Sequence, residues 1–175
     1  MLEKGHIRVY TGDGKGKTTA ALGLACMAIA RDRRVFMVQF LKRPNTSGEH
    51  FAAEAVSSLF TIRPMGRGGF IGQRQLEPED LSAGQQALEE AREAMLGGDY
   101  AMIILDEANV AVHKGVIDLK QLLDFMAAKP ENVVLVITGR SAHPDVIDLA
   151  DVVVEMKKIK HYFDEGVKPI KGIDY

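Results

Sequence analysis

Residues 11–19 have the composition of a phosphate-binding loop. They read Thr-Gly-Asp-Gly-Lys-Gly-Lys-Thr-Thr and separate a short apolar run from an alanine- and leucine-rich stretch. Glycines let successive backbone N–H groups turn towards an anion, and the amino end of the following helix adds positive potential. In this interpretation Lys17 bridges terminal phosphates and the Thr18 hydroxyl is a Mg²⁺ ligand. We expect the nucleotide to bind Gly12, Asp13, Gly14, Lys15, Gly16, Lys17, Thr18 and Thr19.

The match to this loop pattern is a variant. The strict pattern begins with glycine, where this sequence has Thr11. The dinucleotide fingerprint also fails, because the glycines here are spaced G-x-G-x-G. A glycine-rich turn that joins a strand to a helix and binds nothing is the structural alternative. A second motif downstream favours binding.

That second motif is a pair of carboxylates, Asp106 and Glu107, directly after the apolar residues 102–105. Ligands of open parallel sheets bind at the carboxyl ends of the strands. We expect one carboxylate to hold the metal, directly or through water, and the other to orient a second group; polar strand-end residues without a role are the alternative. Arg140 follows a further apolar run and either clamps phosphate oxygens or is a surface arginine.

Short apolar runs alternate with helical patterns along the chain. Continuous rather than alternating hydrophobicity is typical of strands that are covered on both faces. The pattern predicts an α/β, three-layer P-loop NTPase (RecA-like) fold with a mostly parallel central sheet, in one domain spanning residues 1–175. Strands are expected at 7–10, 35–40, 100–105, 133–137 and 152–154, and helices at 17–31, 78–96 and 119–126, with a helical turn from Pro144.

Two segments differ in composition from the rest. Residues 42–72 are rich in glycine and proline, with only residues 59–62 extended, which predicts a long, mobile and functional connection. Residues 157–175 form a basic tail broken by glycines. Its lysines are either a solvated face or an attraction for anionic substrates.

Bulk properties exclude several classes of protein. A net charge of -2 over 175 residues argues against a broad nucleic-acid surface. No apolar run is long enough for a signal peptide or a membrane span, so we expect a soluble, cytoplasmic protein without nucleic-acid or membrane partners. Cys26 is the single cysteine and is expected to be buried. His6 and His50 are expected at the surface.

Residues 9–21 resemble the amino-terminal motif of the ATP:corrinoid adenosyltransferases, the cob(I)alamin and cob(I)yrinic acid a,c-diamide adenosyltransferase family. Further similar strings follow in order over nearly the whole chain. The carboxyl-terminal strings are specific to that family, whereas the phosphate loop is common to a large superfamily. The strings include Val38-Gln39-Phe40, Gly48-Glu49, Leu105-Asp106-Glu107, Thr138-Gly139-Arg140, Lys160-His161 and Gly172-Ile173-Asp174-Tyr175.

The resemblance implies that ATP binds in reverse, with the loop on the terminal phosphate and the 5′ carbon facing the corrinoid. Co(I), reduced by an electron donor, attacks that carbon and triphosphate leaves. Co(I) has no proton to lose, so no general base is required. Catalysis then depends on alignment and on charge stabilisation of the leaving group. The charge stabilisation would come from Lys17, from Mg²⁺ bound to Thr18 and Glu107, and from Arg140.

Two departures from the family pattern affect these expectations. Relatives often carry an amino-terminal helical extension that closes a dimer partner's active site, whereas this sequence begins almost at its first strand; a homodimer stays open. Relatives also place a phenylalanine and a tryptophan in the corrinoid-facing loop, and this chain has no tryptophan. Phe70 is the candidate for the corrin face, with a core-packed phenylalanine as the alternative.

Two other functions compete. In a conventional P-loop ATPase or kinase, Glu107 would position a water or hydroxyl to attack the γ-phosphate. A nucleotide-dependent module resembling RecA-type DNA motors would need a basic groove, and the modest charge disfavours it.

Overall fold

The computed structural model describes residues 4–56, 58–67 and 75–172. Strands and helices alternate along most of the chain, and a 3₁₀ helix at Tyr162–Glu165 lies in the tail. The strands are β1 (Ile7–Thr11), β2 (Val35–Gln39), β3 (Phe60–Pro64), β4 (Met102–Asp106), β5 (Val134–Thr138) and β6 (Val152–Glu155). The helices are α1 (Lys17–Ile29), α2 (Gly48–Val56), α3 (Pro78–Leu96), α4 (Ala108–His113), α5 (Leu119–Ala127) and α6 (Pro144–Leu149).

The strands form one parallel sheet in the order β3-β2-β4-β5-β1-β6. The predicted α/β fold with a parallel central sheet is confirmed. β4 lies between β2 and β5, and its register aligns Gln39 with Asp106. The next pairing, between β1 and β5, aligns Tyr10 with Thr138. Polar residues at the ends of β2, β4 and β5 therefore share the carboxyl edge of the sheet, close to the loop after β1.

Helices cover the sheet on both faces, which explains the continuous apolar strands. In β4, Ile103 and Leu105 join the core cluster that contains α3 and α5, whereas Met102 and Ile104 join the cluster that contains α1. Alternate side chains point to opposite faces of a strand, so a strand covered twice needs apolar residues at every position.

The segment 42–72 has more regular structure than its composition predicted. It contains α2, which the composition did not predict, and the edge strand β3, which includes most of the stretch expected to be extended. α2 begins at Gly48 and β3 ends at Pro64, and alanines inside α2 favour the helix. Residues 68–74 lie outside the described residues, and so does Phe70. Mobility of the segment and the single-domain assignment stay predictions.

Two burial predictions need correction. Cys26 is exposed, because α1 buries Lys17, Ala21 and Ala25 and Cys26 lies beside that stripe. His50 is buried, because α2 packs it against the end of β2. His6 is half-buried near Asp151, with 3.7 Å between Nδ1 and Oδ2. Among the described residues no helix is long and apolar enough to cross a membrane.

Candidate nucleotide and metal site

The loop between β1 and α1 is shaped by the backbone that follows β6. Gly12 and Gly16 have φ values of 93° and 107°, which favour glycine. A Cβ on Gly12 or Gly14 would lie 2.5 or 2.6 Å from the carbonyl oxygen of Met156. The Gly14 N–H donates to that same oxygen at 2.6 Å. This amide is therefore engaged by the fold, and an anion would have to bind other groups of the loop.

Lys17 is held inside the loop. The side chain is only 7% exposed, and its Nζ donates to the carbonyl oxygens of Gly12 at 2.8 Å and Gly14 at 2.6 Å. Burial lowers the pKa of Lys17, while the Glu107 carboxylate opposes that shift. Phosphate oxygens are stronger partners for an ammonium than carbonyl oxygens are, so they can displace these internal bonds.

Asp106 is completely buried at the end of β4, and hydrogen-bond donors occupy both of its oxygens. Oδ1 accepts from the hydroxyls of Thr18 at 2.8 Å and Thr138 at 2.7 Å. Oδ2 accepts from Gln39 Nε2 at 2.9 Å, and Lys42 Nζ lies 3.4 Å away. Asp106 therefore fixes the position of the Thr18 hydroxyl from behind.

Glu107 is placed by an uncommon backbone conformation. It caps α4 with a φ of 62°, and its N–H donates to the Thr138 hydroxyl at 3.0 Å. Such a conformation at a residue other than glycine often marks a functional position. The side chain lines the same cavity as Thr18 and Lys17.

The electrostatics of Glu107 fit a cation site. Burial and the neighbouring Asp106 charge raise the pKa of Glu107, against the pull of Lys17, Lys42 and Arg140. Two adjacent carboxylates with a hydroxyl beside them supply the oxygen ligands that Mg²⁺ prefers. Among the described residues, no three or more His, Cys, Asp or Glu side chains lie close enough together to hold a metal ion by themselves, so hydroxyl and phosphate oxygens would have to complete the coordination.

Gln39, Lys42 and Glu49 complete the site, and the sequence analysis assigned them no role. Glu49 Oε1 accepts from Lys42 Nζ at 2.5 Å and from Gln39 Nε2 at 3.0 Å. Burial alone would lower the pKa of Lys42, but the carboxylates of Asp106 and Glu49 outweigh it and raise that pKa. The ammonium is therefore charged. The available signals were Gln39, which interrupts an apolar strand, and the string Gly48-Glu49, which resembles the family.

A cavity of about 740 Å³ opens over these groups, within the roughly 300–1,000 Å³ of small-molecule sites. We call it the nucleotide cavity. One end is polar, with Lys17, Thr18 and Glu107, and Lys42 and Glu49 line it as well. The flanks on α1, α2 and β3 are mainly apolar, with Leu22, Ile29, Ala53 and Phe60. The exposed Cys26 also lines it.

The tail approaches the phosphate loop. Lys15 Nζ donates to the hydroxyl of Tyr162 at 2.9 Å and lies 5.3 Å from its ring centroid. Gly172 lines the nucleotide cavity. Of the tail lysines, Lys158 pairs with Asp164 at 2.9 Å. The tail therefore contacts the loop as well as solvent.

Of the remaining predicted residues, Thr19 lines the cavity, whereas Asp13 and Arg140 do not. Arg140 is exposed after Gly139, and its charge acts on both Lys17 and Glu107. Asp13 is exposed on the loop, and Thr19 is exposed in the first turn of α1. The structure thus brings the loop, Asp106, Glu107 and Arg140 to one edge of the sheet.

Three features define a P-loop nucleotide-binding protein. The loop after β1 surrounds Lys17, the Thr18 hydroxyl donates to an aspartate at a strand end, and β4 lies inside a parallel sheet. The flagellar accessory protein FlaH from Methanocaldococcus jannaschii has a similar fold, with a TM-score of 0.57 over 88% of this chain and 72% of that one, at 12% identity.

Sequence comparison defines the family. Residues 3–175 match the model of the ATP:corrinoid adenosyltransferase BtuR/CobO/CobP family. The corrinoid adenosyltransferase of Escherichia coli K12 is 35% identical over 99% of this chain and 87% of its own length. The corrinoid adenosyltransferase CobA of Salmonella typhimurium is 36% identical over the same shares. The corrinoid adenosyltransferase of Pseudomonas aeruginosa is 32% identical over 99% of this chain and 85% of its own length. The chain belongs to this family and is a transferase; the ATPase or kinase hypothesis is not favoured.

Proposed function

We propose that this protein transfers the 5′-deoxyadenosyl group of ATP to the Co(I) of a corrinoid and releases triphosphate. Family membership supports the substrates ATP and corrinoid. The observation that carries the site assignment is the position of Glu107, a partly buried carboxylate beside Thr18 and Lys17 in one cavity. An electron donor that reduces cobalt, a homodimer and a cytoplasmic location stay predictions.

Thr18 and Glu107 would hold Mg²⁺, which when bound neutralises phosphate charge. Asp106 was expected to be a metal ligand directly or through water. With both oxygens occupied by donors, it would act through the Thr18 hydroxyl. Ligands oriented by a second set of hydrogen bonds bind metals in a fixed geometry.

The transfer is a substitution at the 5′ carbon. The electron pair of Co(I) forms the cobalt–carbon bond while the bond from that carbon to the α-phosphate oxygen breaks. The electron pair of the broken bond stays on the triphosphate. No proton moves, so the protein's contribution is to align the substrates and to stabilise developing negative charge.

Lys17, amides of the phosphate loop and Arg140 would stabilise that charge at the loop side. Lys42, charged and on the wall of the same cavity, would add a cation beside Asp106. Its partner Glu49 keeps it in place in the absence of substrate. Phe70 remains the proposed contact for the corrin face, outside the described residues.

Product analysis tests the proposal. The protein is incubated with ATP, Mg²⁺ and a chemically reduced corrinoid, while absorbance follows the formation of a cobalt–carbon bond. We expect adenosylated corrinoid and triphosphate in equal amounts. Formation of ADP and phosphate without a cobalt–carbon bond would instead identify a conventional ATPase and refute the proposal.

A further inference from the structure

A second cavity, of about 570 Å³, adjoins the nucleotide cavity. It is lined by β3, by the turn before α2 and by His50 and Ala53 of α2. Ala53 and Phe60 line both cavities, so the two spaces are separated by little more than these side chains. A ligand that fills the nucleotide cavity therefore lies within reach of the second cavity.

The buried imidazole of His50 links the second cavity to the metal site. Its Nε2 lies 2.6 Å from Gln39 Oε1. The Gln39 amide nitrogen donates to both Asp106 and Glu49, so the Gln39 oxygen must be the acceptor in the bond to His50. Nε2 of His50 accordingly carries the proton, and Nδ1 is left with a bare lone pair.

That lone pair has no hydrogen-bond partner within the part of the chain that the structure describes, although Nδ1 is covered from solvent. The side chain is 7% exposed. Burial lowers the pKa of His50, so the ring stays neutral and Nδ1 stays an acceptor. Because buried polar atoms nearly always have partners, an unpaired acceptor on a residue that lines a cavity favours a donor carried by a bound molecule.

We infer that the second cavity receives an uncharged N–H group carried by one of the two substrates, and that His50 Nδ1 accepts its hydrogen bond. This inference rests on the proposed function, which supplies two such groups: the 6-amino group of adenine and a peripheral carboxamide of the corrinoid. In adenine and in a carboxamide alike, a hydrogen-bond acceptor lies next to the N–H group. Arg63, exposed on the same cavity wall, offers a donor for that acceptor and has no ion-pair partner among the described residues.

The bond from His50 to Gln39 gives this contact a route to the metal site. Gln39 holds both Asp106 and Glu49, and Asp106 holds Thr18. A donor on Nδ1 polarises the imidazole and strengthens its Nε2–H bond to Gln39. Binding at the second cavity therefore tightens the hydrogen bonds that position the proposed metal ligand.

Nitrogen NMR of protein labelled in its imidazole rings tests the contact without turnover. Mg²⁺–ATP and an oxidised, fully amidated corrinoid are added separately and then together. We expect the Nδ1 resonance of His50, assigned through the His50→Gln variant, to shift upfield with the substrate that donates. If neither substrate moves it, or if it is already at a hydrogen-bonded position in the substrate-free protein, only water occupies the site and the inference is wrong.

Two variants separate the contact from the Gln39 bond. His50→Gln keeps a donor near Nε2 but removes the acceptor at Nδ1, whereas His50→Asn places an oxygen near Nδ1. We expect His50→Gln to raise the Kd of the donating substrate about tenfold and to leave the other substrate's Kd unchanged, and we expect His50→Asn to recover part of the loss. If the adenine amino group is the donor, inosine triphosphate, which lacks that group, should bind the wild type as weakly as ATP binds His50→Gln. Equal losses for both substrates would reduce His50 to a structural role.

The outcomes also separate this inference from the proposed function. If adenosyl transfer occurs and Nδ1 does not respond, the inference alone fails. If Nδ1 responds to a substrate and no cobalt–carbon bond forms, the proposed function alone fails.

Discussion

The carboxylate of Glu107 destabilises the fold that carries it, and its removal should stabilise the protein while abolishing transfer. Burial and the adjacent Asp106 charge raise its pKa, so the ionised form is unfavourable in the folded state. Glu107→Gln keeps the side-chain size and the φ of 62°, and it removes only the charge. We expect the free energy of unfolding at neutral pH to rise by about 1 kcal/mol, because the lost attraction to Lys17 and Arg140 offsets part of the desolvation gain. In a domain of this size that corresponds to about 2–4 °C in Tm.

The effect has a defined pH dependence. The folded-state pKa of Glu107 lies above its unfolded value, so the folded wild type gains stability from this group as the pH falls through the raised pKa. The advantage of Glu107→Gln is therefore complete above the raised pKa and disappears towards about pH 4.5, the value for an unperturbed glutamate. Thermal unfolding of both proteins across this pH window measures the difference directly.

Matched controls isolate the site. Glu89→Gln makes the same change on the exposed face of α3 and should leave Tm within about 1 °C at every pH. Mg²⁺ added together with ATP should raise the Tm of the wild type. In Glu107→Gln, Mg²⁺ should add nothing to any effect of ATP on the Tm. The electrostatic argument would be refuted if Glu107→Gln were no more stable than the wild type at neutral pH. It would also be refuted if the Tm difference between the two proteins did not shrink as the pH falls. Normal turnover would refute the role of Glu107 in metal binding.

Further substitutions test the other assigned residues. Lys17→Ala should lose most activity at saturating ATP while circular dichroism stays unchanged, because the ammonium acts on triphosphate; near-normal turnover contradicts that role. Thr18→Val should raise the Mg²⁺ requirement sharply, and an unchanged Mg²⁺ titration would exclude Thr18 as a ligand. Phe70→Ala should weaken corrinoid use with ATP binding nearly intact, measured by the two Kd values. Hydrogen exchange over residues 42–72 should slow when corrinoid binds; protection that is already high without it would exclude a lid.

The sequence predicted the central strands well because β2, β4 and β5 are buried on both faces, whereas the exposed edge strand β6 was predicted from its apolar run alone. Four of the strands are continuous apolar runs, and each ends where a polar or glycine-rich segment begins. The motif at Asp106 and Glu107 could be located for the same reason, because two carboxylates follow the apolar run of β4 at its carboxyl end. The phosphate loop followed from the glycine spacing and from the helix that begins at Lys17.

Other features depend on tertiary contacts that no local pattern encodes. The burial of His50 follows from the packing of α2 against the end of β2, and the contact of Gly14 with Met156 follows from the position of β6 beside β1. Gln39 was visible as a polar interruption of an apolar strand. Its partner could not be predicted, because the pairing with Asp106 requires that β2 lie next to β4.

This strand order also explains why one aspartate can organise the whole site. β4 lies between β2 and β5, so Gln39 and Thr138 approach Asp106 from the two neighbouring strand ends, while Thr18 approaches from α1. With these donors in place the carboxylate has little freedom to turn, and the Thr18 hydroxyl is positioned before a substrate arrives. An enzyme that moves no proton gains rate through alignment. The hydrogen bonds at Asp106 would therefore contribute to catalysis by keeping Thr18, and the metal bound to it, in a fixed position while the cobalt–carbon bond forms.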